Sequence, residues 1–305
     1  MNYFKPFVPF ILCWILLFYS NSFQSIAIIN GISQLILFLF VVCIPIWITK
    51  RMSYVDIGWP WGVALIGIIA YCLSNNITLT QSLIMIAYVL IGSRMGLGAL
   101  KMWSLGLLNK EFSRYEYQKI RWKKSGKSNE QLAMQIEALC QGLANASFLA
   151  IPIFLVFASP LPTISFLEIF GFILFALALI FETVADYQKI LFLQEMKRLN
   201  KRNMVCDVGL WRYTRHPNYF AEWMVWNGLI IASIPSYISL FDSEVFWLWI
   251  FIGIALLYTS RIMYITLVYL TGAIPSEYYS AQKRPAYKAY QQSTNMFFPG
   301  PKKLF

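Results

Sequence analysis

Residues 206–226 read CDVGLWRYTRHPNYFAEWMVW and lie between two long apolar runs. The stretch holds the only histidine of the chain, His216, together with Arg212, Arg215, Asn218 and Glu222. A polar constellation this dense at the mouth of a membrane segment is costly to keep, which marks it as the first place to look for chemistry. Pro217 suits the first turn of a helix, where the N–H it lacks would have gone unpaired. The helix it opens then carries Asn218 and Glu222 one turn apart on one face. Two fixed positive charges beside a helix start predict a seat for a phosphorylated or otherwise anionic ligand.

The flanking runs decide the solvent. Hydrophobic residues make up 58% of the 305 and charged residues 13%, whereas a soluble domain carries about a quarter charged residues. Stretches long enough to cross a hydrocarbon core of roughly 30 Å occur at about residues 6–21, 25–49, 59–75, 78–99, 136–158, 163–188, 219–236 and 245–270. The expected fold class is therefore all-α, a multi-pass transmembrane helical bundle of about eight spans. Residues 1–305 are expected to form a single integral membrane domain that contacts membrane lipids.

Basic residues give the orientation, because lysine and arginine concentrate in short cytoplasmic loops. Lys5, the Lys50–Arg51 pair, and the sets within 101–127, 189–215 and 283–303 all fall on one side of the eight-span topology. The turns near Asn21, Asn75, Pro160 and Tyr237 receive no lysine or arginine. Both termini are thus expected on the cytoplasmic side, and the formal charge of +11 is a topology signal. No basic face with base-stacking aromatics lies outside the membrane loops, which argues against nucleic acid as a partner. The first apolar run lacks a small-residue cleavage pattern and reads as an anchor. Five scattered cysteines and one histidine show neither disulfide nor metal-ligand spacing, so no metal is expected.

Ionisable groups inside spans are the next candidates. Asp56, in SYVDIGWPWG (53–62), enters the third span beside Trp59 and Trp61. It either faces a cavity or pairs at the interface with Lys50 or Arg51. Glu182 and Asp186 sit four residues apart on the sixth span, with Lys189 following. Two carboxylates on one buried stripe repel unless a cation or a hydrogen-bonding ligand fills the gap, and the arginines of the next loop compete for that place. Two neighbouring guanidinium groups disfavour a third positive charge on His216, so hydrogen bonding to a cofactor suits it better than proton donation. The tail 275–299, PSEYYSAQKRPAYKAYQQSTNMFFP, is polar and rich in tyrosine. It either closes over such a cofactor or lies on the membrane surface as an amphipathic helix.

GLWRYTRHPNYFAEW (209–223), with ADYQK (185–189) before it and AYKAYQQSTNMFFP (286–299) after it, resembles a bacterial membrane family grouped with steroid 5-alpha-reductases. SYVDIGWPWG resembles the amino-terminal signature of the same family. The RHPNY core by itself is also similar to sterol C14-reductases and to isoprenylcysteine and phospholipid methyltransferases. The resemblance implies amino-terminal anchor helices over 1–50 and a reductase-like core over 51–305, with a pocket for NADPH opening to the cytoplasmic side. It implies that Asn218, Glu222 and Asp186 contact the cofactor, with Glu182 standing where the reductases have an asparagine. Tyr213 and Arg215 fall in the segment that lines the dinucleotide. Lys189, Arg212, His216 and Tyr219, close to these in the sequence, are further candidates for the same cofactor. The Gln-Glu pair and active tyrosine of the steroid enzymes have no recognisable counterpart here.

The implied chemistry is hydride transfer to a polarised carbon-carbon double bond of a lipid-soluble steroid- or isoprenoid-like enone. Such a reaction needs a hydrogen-bond donor on the conjugated carbonyl and a proton for the adjacent carbon. Asp56, if burial keeps it protonated, Tyr54 and Tyr117 are the candidate donors; Arg94 and the cluster of Arg114, Tyr115 and Tyr117 either hold phosphate or line the entrance, with a solvated loop face the alternative for the cluster. Two other classes stay open: a methyltransferase of a prenyl or lipid acceptor using S-adenosylmethionine, and a non-enzymatic lipid-binding or transport protein.

Overall fold

The computed structural model describes residues 3–303; the outermost residues, on which the expectation of two cytoplasmic termini bears, lie outside the described residues. Among the described residues every regular element is helical. In order these are α1 (Val8–Tyr19), α2 (Gln24–Phe38), α3 (Ile44–Thr49), α4 (Val55–Cys72), α5 (Leu79–Ser104), α6 (Ser113–Lys124) and α7 (Glu130–Ala146). They continue with α8 (Ile151–Ala158), α9 (Phe166–Arg198), α10 (Pro217–Ser239), α11 (Phe246–Ile265), α12 (Ala273–Lys283) and α13 (Tyr287–Ser293).

Among the described residues seven helical stretches are long and apolar enough to cross a bilayer: Gln24–Thr49, Met52–Cys72, Leu79–Ser104, Glu130–Ala158, Phe166–Arg198, Pro217–Asp242 and Phe246–Lys283. The chain is a multi-pass integral membrane protein. These seven coincide with the last seven apolar runs of the sequence, while the first, 6–21, forms the shorter helix Lys5–Tyr19. That helix stops at Ser20, whose backbone is extended. The Ser20 hydroxyl and the Ser22 amide both donate to Glu244 Oε1, at 2.5 and 3.0 Å.

By its contacts the chain divides into two compact units, Met1–Phe172 with Leu229–Thr259, and Ile173–Gly228 with Ser260–Phe305. In the first unit, proline interrupts the helical hydrogen bonding of several spans, and at Pro152 a neighbouring hydroxyl takes up the freed carbonyl, as hydrocarbon requires. Pro45 has no N–H for the carbonyl four residues back, and the chain widens into a π turn at Leu39–Cys43 before α3. Pro152 likewise opens α8, and the carbonyl of Phe148 accepts from Thr259 Oγ1 at 3.1 Å. Asn30, Gln34 and Asn145, all buried, tie α2, α4 and α7 together. Gln34 Nε2 donates to Asn30 Oδ1 (3.2 Å) and to the Gly62 carbonyl (2.9 Å), and Asn145 Nδ2 donates to the Trp59 carbonyl (3.1 Å).

Helices α4 and α5 pack closely against each other. Gly92 makes it possible: a Cβ there would meet the Pro60 carbonyl oxygen at 2.4 Å and the Ala64 Cβ at 2.7 Å. Small residues at such contacts let membrane helices approach and gain dispersion energy that lipid cannot supply. Replacing Gly92 with leucine should therefore destabilise the fold by about 1–3 kcal/mol, the usual result of overpacking. Thermal unfolding of the detergent-purified variant, followed by loss of its monodisperse elution, checks this, and an unchanged transition temperature contradicts it.

Candidate functional site

The second unit contains the lower part of α9 from Ile173, the turn 199–216, the first part of α10 and everything from Ser260 onward. The turn is seated on α9. Gly209 adopts φ 54°, and any Cβ there would overlap the Gln188 side chain, whose Oε1 accepts from the Leu210 amide at 2.8 Å. Trp211 Nε1 donates to the Ala185 carbonyl at 2.9 Å, and Lys189 Nζ lies 4.3 Å from the Trp211 ring centre.

The carboxyl-terminal tail is then laid across the same turn. The Arg215 amide donates to the Asn295 carbonyl at 2.8 Å, and the Gly300 amide to the Tyr213 carbonyl at 3.0 Å. Thr214 Oγ1 lies within hydrogen-bond reach of the Met296 and Phe297 carbonyls, at 3.1 and 3.0 Å. Tyr290 donates to the Trp211 carbonyl at 2.5 Å, and Lys302 pairs with Asp207 at 2.5 Å. Phe297 and Phe298 pack edge-on against Trp223. Residues 295–302 of the tail thus run along the turn and are bonded to it.

The anion expected at the start of α10 is supplied by the chain itself. Glu277, on α12, takes the Arg215 guanidinium in a two-point grip, Nε to Oε1 at 2.7 Å and Nη2 to Oε2 at 3.1 Å. Arg215 Nη1 donates to the carbonyls of Gln291 and Thr294. His216 Nε2 lies 2.9 Å from Glu277 Oε1, and Gln291 Nε2 donates to Oε2 at 2.7 Å. With Glu277 a carboxylate, the neutral imidazole donates through Nε2–H. Arg215 and His216, expected on a dinucleotide, are thus buried holders of α12 and the tail. Burial holds the His216 imidazole below its ordinary value of 6.5, against the opposing pull of Glu277. Tyr219 stacks on the His216 ring, with centres 5.2 Å apart.

Away from that clamp, the structure brings together the two halves of the sequence constellation. Asn218 Nδ2, on α10, donates to Asp186 Oδ1, on α9, at 3.0 Å. Asn218 Oδ1 is buried with no hydrogen-bond partner, and an acceptor left so calls for a donor from outside the protein. Glu182 is buried one turn above Asp186, and Glu222 is half-buried one turn beyond Asn218. Arg212 and Tyr213 are exposed at the rim, where Arg212 Nε makes only a long contact of 3.4 Å to the Asp207 carbonyl.

Asp56, Tyr54 and Tyr117 belong to the first unit. Asp56 pairs with Arg114, neither with Lys50 nor with Arg51, and its other oxygen accepts from Tyr115 at 2.9 Å. Both oxygens therefore serve as acceptors, so the geometry gives Asp56 no proton to deliver. Burial and the nearby Asp56 charge push the Tyr115 phenol well above its ordinary value. The loop cluster is not a solvated face: Arg114 stacks on the Tyr115 ring, 5.1 Å from its centre, and Tyr115 is buried. Tyr54 and Tyr117 are half-buried.

Residues 39–294 match the family described as "Protein of unknown function (DUF1295)". The chain belongs to that family. The matched region contains SYVDIGWPWG, the 206–226 constellation, Glu277 and the tail through Thr294. No curated protein and no solved structure matches the chain. Among the described residues no group of histidine, cysteine, aspartate or glutamate side chains is arranged to hold a metal ion.

Glu277 was missed in the sequence because its segment is dominated by tyrosines and basic residues. Its signal was its isolation: it is the only acidic residue after Glu244, in a stretch that contains Arg261, Lys283, Arg284, Lys288, Lys302 and Lys303. Replacing Glu277 with alanine strands a buried guanidinium and should destabilise the protein by about 3–5 kcal/mol. Pairing Glu277→Leu with Arg215→Met should recover part of that loss, read from unfolding temperatures of the single and double variants.

His216 sets a pH dependence. The unfolded chain binds a proton near 6.5 that the folded chain refuses, so stability falls as pH drops below about 6.5 and levels off only below the depressed folded value. The His216→Gln variant should show a shallower fall in unfolding temperature between about pH 7.5 and 5.5. An identical slope in both proteins contradicts the assignment.

Proposed function

We propose that this chain is an integral membrane reductase that binds NADPH beside Asp186 and Asn218 and reduces a carbon-carbon double bond of a lipid-soluble enone. The observation that carries the reading is the Asp186–Asn218 hydrogen bond together with the buried, unpaired Oδ1 of Asn218. These are the positions that the resemblance to the steroid 5-alpha-reductase grouping assigns to the cofactor. An unpaired acceptor suits a ligand that brings amide and hydroxyl donors, both of which a nicotinamide dinucleotide carries. When bound, NADPH supplies a hydride.

The chain's own residues divide the remaining work. Asp186 fixes the rotamer of Asn218 by accepting from Nδ2, which turns Oδ1 away as the free acceptor. Glu182 and Glu222 stand one helical turn to either side and are suited to ribose or amide contacts. Arg212 and Lys189 provide positive charge for the phosphates, a task that Arg215 cannot share while Glu277 grips it. Glu277 acts by positioning, since it holds the turn from which α10 starts.

The test is direct cofactor binding by the purified full chain, followed by quenching of tryptophan fluorescence. NADPH should bind, and Asp186→Ala, Asn218→Ala and Glu222→Ala should each weaken it by about 1–3 kcal/mol, the value of a buried hydrogen bond left unmade. Oxidation of NADPH with a panel of steroid and polyprenyl enones then reads the activity. Binding of S-adenosylmethionine in place of NADPH would turn the reading to a methyltransferase. Binding of lipid that survives all three substitutions, with no nucleotide bound, would leave a lipid carrier.

A further inference from the structure

A second feature of this unit has no role in the reductase reading. Where α9 ends, a cavity of about 470 Å³ is lined by Lys197, Lys201, Arg202 and Arg284 together with Asn200 and Asn203. No carboxylate is among its lining residues. Glu195, the acid nearest in sequence, is held by Arg198 at 2.7 Å. Three of the cations come from one short stretch, residues 197–202, and the fold brings Arg284 to them from far along the chain. The chain turns back on itself through Asn200 and Asn203, at φ 52° and 58°, and the Lys201 amide closes the helix end onto the Met196 carbonyl at 2.9 Å. Arg284 arrives from the end of α12, steadied by Nη1 on Ser280 Oγ at 2.9 Å, and its buried Nε has no hydrogen-bond partner.

Four cations around one cavity raise its positive potential and favour an anion among them. The carboxyl end of a helix carries a partial charge of only about −0.5, which cannot balance them. The preference for basic cytoplasmic loops explains why such residues are abundant here, but not why they converge on a cavity with an unpaired guanidinium N–H.

The apolar surroundings identify the anion's source. At 33 residues, α9 is about 50 Å long, against roughly 30 Å of hydrocarbon. Its final turns consequently reach or pass the headgroup level. Even so, apolar side chains stay uncovered right up to the basic mouth: Ile190, Leu191, Leu193, Leu199 and Met204 are each 45–50% exposed. An anion that carries acyl chains can cover these side chains, which a soluble anion cannot. We propose that the cavity seats the headgroup phosphate of an anionic phospholipid whose acyl chains lie against the uncovered apolar side chains around the end of α9.

Native mass spectrometry of the full chain in neutral detergent, titrated with dioleoyl phosphatidylglycerol or dioleoyl phosphatidylcholine, tests this. The anionic lipid should bind at least about tenfold more tightly, and the preference should shrink as salt rises from about 50 to 500 mM. The K197Q/K201Q/R202Q variant should lose about fivefold per cation removed, while K197R/K201R keeps wild-type affinity. Equal retention of the two lipids, a preference indifferent to salt, or undiminished affinity in the glutamine variant overturns the proposal. Displacement of the lipid by glycerol phosphate at equal concentration also overturns it, since the site would then take a soluble phosphate. Should the glutamine variant fail to fold, the lipid comparison and its salt dependence on the wild type still decide. None of these readouts involves NADPH, so they stand or fall independently of the reductase reading.

Discussion

A single buried carboxylate holds the second unit together. Glu277 accepts from Arg215 at two points, from His216 and from Gln291, and Arg215 passes the constraint on to the tail through the carbonyls of Gln291 and Thr294. A guanidinium and a carboxylate with little water around them must have partners at nearly every polar atom, or desolvation outweighs their attraction. That requirement makes α12, the turn before α10 and the tail one cooperative structure. It also explains why the tail runs along 211–216: the extended segment 294–300 offers the carbonyls that Thr214 and Arg215 need.

The same demand shapes the first unit, where the solvent is lipid. Pro152 opens a gap in the helical hydrogen bonding and Thr259 closes it at the Phe148 carbonyl, while Asn145 Nδ2 reaches across to the Trp59 carbonyl. Asn30, Gln34 and Asn145 bond to one another at full burial. Asp56 is treated alike: Arg114 and Tyr115 reach it from α6, so an acid that looked reactive in isolation has both oxygens engaged. In such a protein an ionisable group inside a span is functional only where its partners leave something over.

Among the places in the second unit that leave something over, two bear on function. At Asn218 it is a buried carbonyl oxygen with its amide already given to Asp186. At the end of α9 it is an excess of positive charge with a guanidinium N–H unpaired. The first asks for a hydrogen-bond donor and the second for an anion, and the chemistry suggested for each follows from that difference.

The multi-pass helical class was legible in the sequence because each span needs an unbroken apolar run, and run length is a one-dimensional quantity. The pairing of the α9 acid with the α10 asparagine was within reach for a similar reason: Asp186, Asn218 and Glu222 each sit at a recognisable helical spacing. Lys5–Tyr19 was overextended to 6–21 because composition does not show that Ser20 turns away to meet Glu244, which is 224 residues distant. The ownership of Arg215 and His216 was equally invisible. Their charge and position suit a bound phosphate and a buried glutamate alike, and only the path of the chain between 216 and 277 decides which carboxylate or phosphate arrives. Local sequence sets which groups need partners; tertiary structure selects the partners, because the competing donors and acceptors lie far apart in the chain and close only in space.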